Sequence, residues 1–468
     1  MIEATVKDCV PAIQGNLIHG SRDFTFRGVS IDSRTVQAGE LFFCIQGDRF
    51  DGHDFISAVL AKKAAGIVLA DAKRLNRDVD ANATSSFIIE VPDTLVALQD
   101  LARFYRSRIG AKVIGVTGTN GKTTTKEMIA SVSETRFKTH KTQGNLNNHI
   151  GLPLSLLKMD TDHEVAILEM GMSAAGEIRL LADIARPDMG LITNISEAHL
   201  EELKTIRNVQ SAKGELFTAL ESHHTAIINA DDPLVLELAK TLRSKKITYG
   251  IENPADVKAS NIRPRNNEGF DFNIRLFDQE FAVSLPFLGA CNIYNALAAV
   301  ATGHSLGLSP NDMVTGLGRC QLMGQRYEII QNESTTLIND AYNANPRSME
   351  ESLNVLTQYK TSGRKIFVVG DMLELGDLSQ SAHRELGEKV AKLSVDVLVA
   401  VGDLAALVAE GARQAGMEKD HIVNFASKDE AKAYLHQNLQ SNDCILFKGS
   451  RGAQLEEIVQ ALTEHKPS

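Results

Sequence analysis

Apolar runs of four to six residues, each closed by glycine or polar side chains, recur along much of this chain, with helically spaced stretches between them. Runs of that length bounded by turn signals predict strands buried on both faces. They fall at residues 113–117, 164–169, 189–194 and 226–229, and again at 336–339, 365–369, 397–401 and 444–447. Two such alternating blocks predict two open, mainly parallel α/β sheets. Residues 1–90 carry shorter runs, at 41–45 and 66–70, and predict a small α/β unit. Pro92 followed by a helical pattern over 94–108 places a boundary near residues 91–93. A β-rich excursion is expected over 253–278 and a helix over 292–307. The division this predicts is α/β throughout, in three domains: 1–90, a central 91–323 and a C-terminal doubly wound 324–468.

In an open parallel sheet, ligands bind beyond the carboxyl ends of the strands. The strand ends of the first block carry Lys122 and Thr123, then Glu169, then Asn194 and His199, then Asp231 and Asp232. These phosphate- and metal-competent residues predict one shared cleft. The segment after residue 117 is the most specific. Gly118, Thr119, Asn120 and Gly121 form a tight glycine loop, Lys122 and Thr123 follow, and a helix is expected from Thr124. Glycines let backbone N–H groups reach phosphate oxygens, the helix N-terminus and Lys122 add positive charge, and a threonine hydroxyl can ligate Mg²⁺. Val116 stands where the usual phosphate loop has its first glycine.

Size and charge narrow the possibilities. At 468 residues the chain exceeds one ordinary core. Hydrophobic residues make up 43% and charged residues 23%, as in soluble globular proteins. A net charge of −10 opposes nonspecific binding to nucleic acid or anionic membrane. There is neither a signal-peptide pattern nor an apolar run long enough to span a bilayer. Five cysteines without CxxC spacing read as free thiols of a reducing cytoplasm. A cytoplasmic monomer with no nucleic-acid partner and no membrane insertion is expected.

Other candidates are weaker individually. Glu169 at a strand end beside a phosphate loop suits a hard divalent cation, and His199 is a further candidate ligand. Lys213, from spacing alone, reads as a helix-surface lysine. Asn292 and Asn295 share a helix face, where they either cap the helix or read a purine edge. The segment 340–346, with Asp340, Tyr342, Asn343 and Asn345, is denser in polar groups than a turn requires, and Lys448, Ser450 and Arg451 could clamp a carboxylate. Ser33, Arg34, Gly47 and Asp48 sit in loops suited to an anionic, sugar-like ligand.

Together these segments resemble the Mur ligases of peptidoglycan synthesis, in the right order over nearly the whole chain. TGTNGKTTTKEM, GNLNNHIGLPLSLL, DAYNANPRSM and VVGDMLELG are the most specific, and KGSRG and GDRFDGHDF agree. The resemblance implies an N-terminal UDP-sugar domain, a central ATPase and a Rossmann-like C-terminal domain. It implies ATP- and Mg²⁺-dependent amide formation between UDP-N-acetylmuramoyl-tripeptide and D-alanyl-D-alanine through an acyl phosphate. It implies a CO₂-derived carbamate on Lys213, which with Thr123, Glu169 and His199 would hold Mg²⁺. ATP would be met by residues 118–124 with Asn295, Arg326 and Asp340, and the muramoyl-peptide by Asn145, Asn147 and Asn148. Cys291, Asn339 and His149 depart from the family pattern. The rival within the family adds a diamino acid to a UDP-muramoyl-dipeptide, but its DNPR motif is missing here. A rival of another class is a noncatalytic nucleotide-gated binding protein.

Overall fold

The computed structural model describes residues 1–75, 86–322, 324–332 and 334–464. Met323, where the boundary after the central block was expected, and the final residues to Ser468 lie outside the described residues.

Three large sheets, beside a two-stranded antiparallel pair of Glu3–Thr5 with Thr25–Arg27, organise the described residues of this three-domain α/β chain. The first has five strands in the order Asn16–His19, Phe87–Glu90, Gly66–Leu69, Leu41–Phe43 and Val29–Ser30, parallel except for the first pair. In the second, nine-stranded sheet, Thr139–Lys141, Val165–Glu169, Lys112–Thr117, Met189–Ile192, Thr225–Asn229, Lys245–Gly250 and Val257–Pro264 run parallel. Phe270–Leu276 and Gln279–Leu285 extend it antiparallel. The third runs Glu328–Asn332, Thr335–Asn339, Cys444–Lys448, Lys365–Gly370, Val397–Val401 and Ile422–Phe425, with only its first pair antiparallel. The uniformly apolar runs became central parallel strands because helices cover both faces, as in Val165–Glu169, where every residue is buried. Strands with mixed polarity, such as Lys245–Gly250 and Glu328–Asn332, had no such signature.

The cores divide unevenly. One continuous apolar cluster joins the N-terminal sheet to the middle one, running from Ile2, Val6 and Phe43 through Leu101 on the helix Thr94–Arg106 to Leu168. The C-terminal sheet has apolar clusters of its own on its two faces. Within it, the helices Ser379–Lys392 and Ala405–Gln414 touch backbone to backbone. A β-carbon on Gly387 would lie 2.0 Å from the Val408 carbonyl oxygen, and one on Gly411 2.2 Å from that of Arg384. Away from the chain crossing, the C-terminal domain is also tied to the antiparallel extension of the middle sheet. Asn267 Nδ2 donates to the Lys360 carbonyl (2.8 Å), the Lys360 N–H donates to Asn267 Oδ1 (2.8 Å), and Lys360 Nζ reaches Asn266 Oδ1 (2.7 Å).

The N-terminal loop around Asp51 is held by charge. Asp51 Oδ1 accepts from the N–H (3.0 Å) and Nδ1 (2.6 Å) of His53, and Oδ2 pairs with Arg74. Burial raises the Asp51 carboxyl, but these hydrogen bonds outweigh it and lower it from 3.8 to about 2. A depressed carboxyl stabilises the fold above its unfolded value and loses that contribution as pH falls through the folded one. Asp51→Asn should therefore lower the melting point at pH 6 by the equivalent of about 2 kcal/mol. The gap to wild type should close between pH 4 and 2, and a gap independent of pH would show that the charge is not responsible.

Candidate active site

The strand Lys112–Thr117 passes through the glycine loop into the helix Lys122–Ser133. That helix starts two residues earlier than the sequence predicted, because Gly121 takes the N-cap position at φ 80°, a left-handed conformation that glycine adopts without strain. Gly118, at φ 145°, could carry no side chain: a β-carbon there would sit 1.9 Å from Thr193 Oγ1. The loop is pinned to the adjacent strand end. The Asn120 N–H donates to Asn194 Oδ1 (3.1 Å), Asn194 Nδ2 donates back to the Asn120 carbonyl (3.1 Å), and the Thr119 N–H donates to the Asn194 carbonyl (2.9 Å). Lys122 Nζ donates to the carbonyls of Gly118 (2.9 Å) and Thr119 (3.1 Å), and burial depresses its pKa.

Asn295 braces this helix from behind. Its Oδ1 accepts from Thr125 Oγ1 (3.0 Å), and its Nδ2 donates to Asn292 Oδ1 (2.9 Å); Asn292 Nδ2 in turn donates to the Leu288 carbonyl (2.6 Å). The capping expectation for these asparagines is corrected. Ala290 is the N-cap of Cys291–Ser305 and makes no side-chain bond. Asp231 and Asp232 are likewise occupied structurally. Asp232 caps Pro233–Ala239 and accepts from the Ile195 N–H, while Asp231 accepts from the N–H groups of residues 251–253.

Glu169 is only 3% exposed. Its Oε1 accepts from Asn147 Nδ2 (2.9 Å), while Oε2 is buried with no hydrogen-bond partner. A buried carboxylate oxygen left bare is expensive unless a cation meets it, so this donor fits a hard divalent ion. Lys126, which sequence reasoning passed over, is fully buried beneath it: its Nζ donates to the Thr142 carbonyl (2.8 Å) and lies 3.0 Å from Glu127 Oε1 and 4.0 Å from Glu169 Oε2. The available signal was its place one helical turn after Lys122. Among the described residues, the group of three metal-competent side chains lying closest together is instead Asp160, Asp162 and His163. Asp160 and Asp162 there are exposed and pair with the N-terminus and Lys138.

Lys213 is no surface lysine. It lies on the helix Ile206–Thr218, is 1% exposed, and donates through Nζ to the Gly118 carbonyl (3.1 Å). Burial and the nearby Lys122 push its pKa well below the ordinary lysine value, which favours the neutral amine.

The C-terminal domain forms the other wall. Arg326 Nη2 donates to Thr123 Oγ1 (3.0 Å), and its guanidinium stacks 4.3 Å above the Tyr342 ring centre. Asn345 caps the helix Pro346–Gln358 and exchanges two hydrogen bonds with Asn120 of the glycine loop, at 3.1 and 2.7 Å. Asp340 Oδ2 accepts from Ser352 Oγ and pairs with Lys448 Nζ, each at 2.7 Å and buried. Arg451 pairs with Glu456 and donates to Gln325. Both cations expected to clamp a carboxylate are thus engaged within the chain. Ser450 Oγ accepts from the Leu373 N–H (2.9 Å). His199 Nδ1 meets Glu374 Oε2 at 2.6 Å, a contact between residues 175 apart in sequence that no local pattern foretells. His199 also holds φ 55°.

The two walls enclose a cleft of about 680 Å³ lined by Thr119 through Thr124, Asn147, Asn148, Glu169, His199, Asn295, Arg326, Asp340, Tyr342, Asn343, Asn345 and Lys448. Gly118 and Lys213 lie just behind the loop. Asn145, Ser450 and Arg451 are outside the lining, as are Ser33, Arg34, Gly47 and Asp48 of the N-terminal domain. There Arg34 pairs with Asp32, and Lys62 holds the Ser33 and Arg34 carbonyls.

This arrangement has known counterparts. The chain matches the Mur ligase middle domain over residues 116–303, the Mur ligase glutamate ligase domain over 325–451 and the Mur ligase family catalytic domain over 25–106. The UDP-N-acetylmuramoyl-tripeptide–D-alanyl-D-alanine ligase of Bacillus subtilis is 40% identical over 99% of both chains. The chain belongs to the Mur ligase family. As a Mur ligase it superposes on the crystal structure of MurF from Acinetobacter baumannii with a TM-score of 0.88, at 32% identity over 99% of this chain and 100% of that one. It superposes on MurF from Thermotoga maritima in complex with ADP with a TM-score of 0.81, at 28% identity over 94% and 97%. No helix among the described residues of this Mur ligase is long and apolar enough to cross a membrane.

Proposed function

We propose that this chain joins D-alanyl-D-alanine to UDP-N-acetylmuramoyl-tripeptide at the expense of ATP, giving the UDP-muramoyl-pentapeptide, as a cytoplasmic enzyme. The observation that carries the reading is the single cleft between phosphate loop and C-terminal domain, in a chain that matches the Bacillus subtilis ligase from end to end. The domains are assigned as 1–90 for the UDP-sugar, through Ser33, Arg34, Gly47 and Asp48, 91–323 for ATP and 324–468 for closing the site. Residues 118–124, Asn295, Arg326 and Asp340 are assigned to ATP. Asn145, Asn147, Asn148, Tyr342, Asn343, Asn345, Lys448, Ser450 and Arg451 are assigned to the peptide substrates.

A carboxylate is a poor electrophile at neutral pH. Transfer of the γ-phosphoryl group to it forms an acyl phosphate and releases ADP. The neutral amine of the dipeptide then attacks the acyl carbon, the tetrahedral intermediate gives up one N–H proton, and the C–O bond to phosphate breaks with phosphate taking the bonding pair. Lys122 and the loop N–H groups balance charge on the transferring phosphoryl group. Thr123, Glu169, His199 and a carbamate on Lys213 would hold Mg²⁺, which when bound supplies further charge neutralisation at the phosphates. The neutral amine of a buried Lys213 is the form that adds to CO₂, with loss of one proton, to give that carbamate. Arg326, Asn345 and the C-terminal wall keep water from the acyl phosphate.

Phosphate release is the test, measured with ATP, Mg²⁺ and UDP-muramoyl-tripeptide, with and without D-alanyl-D-alanine. Dipeptide-dependent phosphate with pentapeptide detected by mass is expected. Product only from UDP-muramoyl-dipeptide with a diamino acid would move the chain to the sister activity. Nucleotide binding without product from either pair would make it a switch.

A further inference from the structure

His199 and Glu374 meet across the domain boundary, and two features set their contact apart from an ordinary surface pair. It has two points of attachment: beside the 2.6 Å imidazole–carboxylate bond, the Glu201 N–H donates to the Glu374 carbonyl at 3.2 Å. Both partners also hold left-handed backbones, His199 at φ 55° and Glu374 at φ 63°, although neither is glycine. Such conformations persist where the surroundings over-determine them and gather at functional sites. The short helix Leu200–Leu203 fixes His199 from one side, and the 3-10 turn Gly376–Leu378 fixes Glu374 from the other.

An imidazole has one ring nitrogen to give to a metal, and the hydrogen bond on the other decides which. With Nδ1–H donating to Glu374, the lone pair of Nε2 is the one left free. Carboxylates in this position fix ring orientation and tautomer in many metal sites. Here the carboxylate comes from a different domain than the imidazole.

We propose that Glu374 is a positioning residue that sets the His199 ring only when the C-terminal domain is shut, so that domain closure completes the metal site. The inference rests on the reading of His199 as a metal ligand. Binding and closure are then linked reciprocally: metal on His199 favours the closed domain, and the closed domain tightens metal. An open enzyme would hold nucleotide with a loosely bound ion.

The test is Mn²⁺ binding, read as free Mn²⁺ by electron paramagnetic resonance, with a non-hydrolysable ATP analogue and UDP-muramoyl-tripeptide present. Wild type is compared with Glu374→Ala, Glu374→Gln and His199→Ala, after their melting points are matched. Glu374→Ala should weaken Mn²⁺ about tenfold or more and match the loss in His199→Ala. Glu374→Gln, whose amide oxygen still accepts from Nδ1–H, should recover part of it. Binding of the nucleotide analogue in EDTA should be the same in all four. Wild-type Mn²⁺ affinity in Glu374→Ala, with a loss in His199→Ala, overturns the inference and leaves the proposed function standing. Wild-type affinity in His199→Ala overturns both the inference and the metal role of His199, while pentapeptide formation is judged separately.

Discussion

Lys213→Ala should lose roughly a thousandfold in kcat, about 4 kcal/mol of transition-state stabilisation. The lysine is buried against the carbonyl of Gly118, the residue that opens the phosphate loop, and its own charge is disfavoured there by burial and by Lys122. A neutral amine in that place contributes little by itself. A carbamate would bring an anion to the point where the neighbouring groups are Lys122 and, on the proposed reading, a divalent ion. Lys213→Glu restores a carboxylate near that position and should retain more activity than the alanine variant. Equal activity in Lys213→Ala and wild type would remove the carbamate from the mechanism.

The second large effect is expected at Lys126→Met. The substitution keeps much of the side-chain volume and removes a fully buried charge that pairs with Glu127 at 3.0 Å and faces the bare oxygen of Glu169 at 4.0 Å. Removing one partner of a buried pair leaves the other charge stranded, at about 3–5 kcal/mol. Because Lys141 also pairs with Glu127, the lower end applies, about 3 kcal/mol, or roughly 6–12 °C in melting point for a domain of this size. Activity should fall as well, since Glu169 loses the cation that orients it. An unshifted melting point would mean that the Lys126–Glu127 pair adds nothing net to the fold and that Glu169 is held by Asn147 alone.

The sequence announced whatever rests on local pattern. Strands buried on both faces read as apolar runs, and the glycine loop carried its own spacing, so the central strands of the middle and C-terminal sheets were legible to within a residue or two, whereas Thr139–Lys141, Lys245–Gly250, Glu328–Asn332 and Ile422–Phe425 were not. Glu169 and His199 followed from their position at strand ends. Lys213 did not: on spacing it is one lysine of a helix, and only the packing of that helix behind the phosphate loop buries it. The capping reading of Asn292 and Asn295 failed for a similar reason, since their hydrogen bonds go to Leu288 and to Thr125 of another helix rather than to the helix start. Contacts across the cleft, Asn120 with Asn345 and His199 with Glu374, join residues more than 170 positions apart. No periodicity along one strand or helix encodes such a pairing.

The tie between Lys360 and the tip formed by Asn266 and Asn267 has a mechanical meaning. The C-terminal domain carries its own apolar clusters, whereas the N-terminal and middle domains share one. It is attached to the middle domain at the covalent crossing and again at this hairpin tip. A rigid body fixed at two points keeps a single freedom, rotation about the line through them. An opening that kept both attachments would be the swing of a door hung on two hinges rather than a wander on a tether, and every bond across the cleft mouth would part along that one arc.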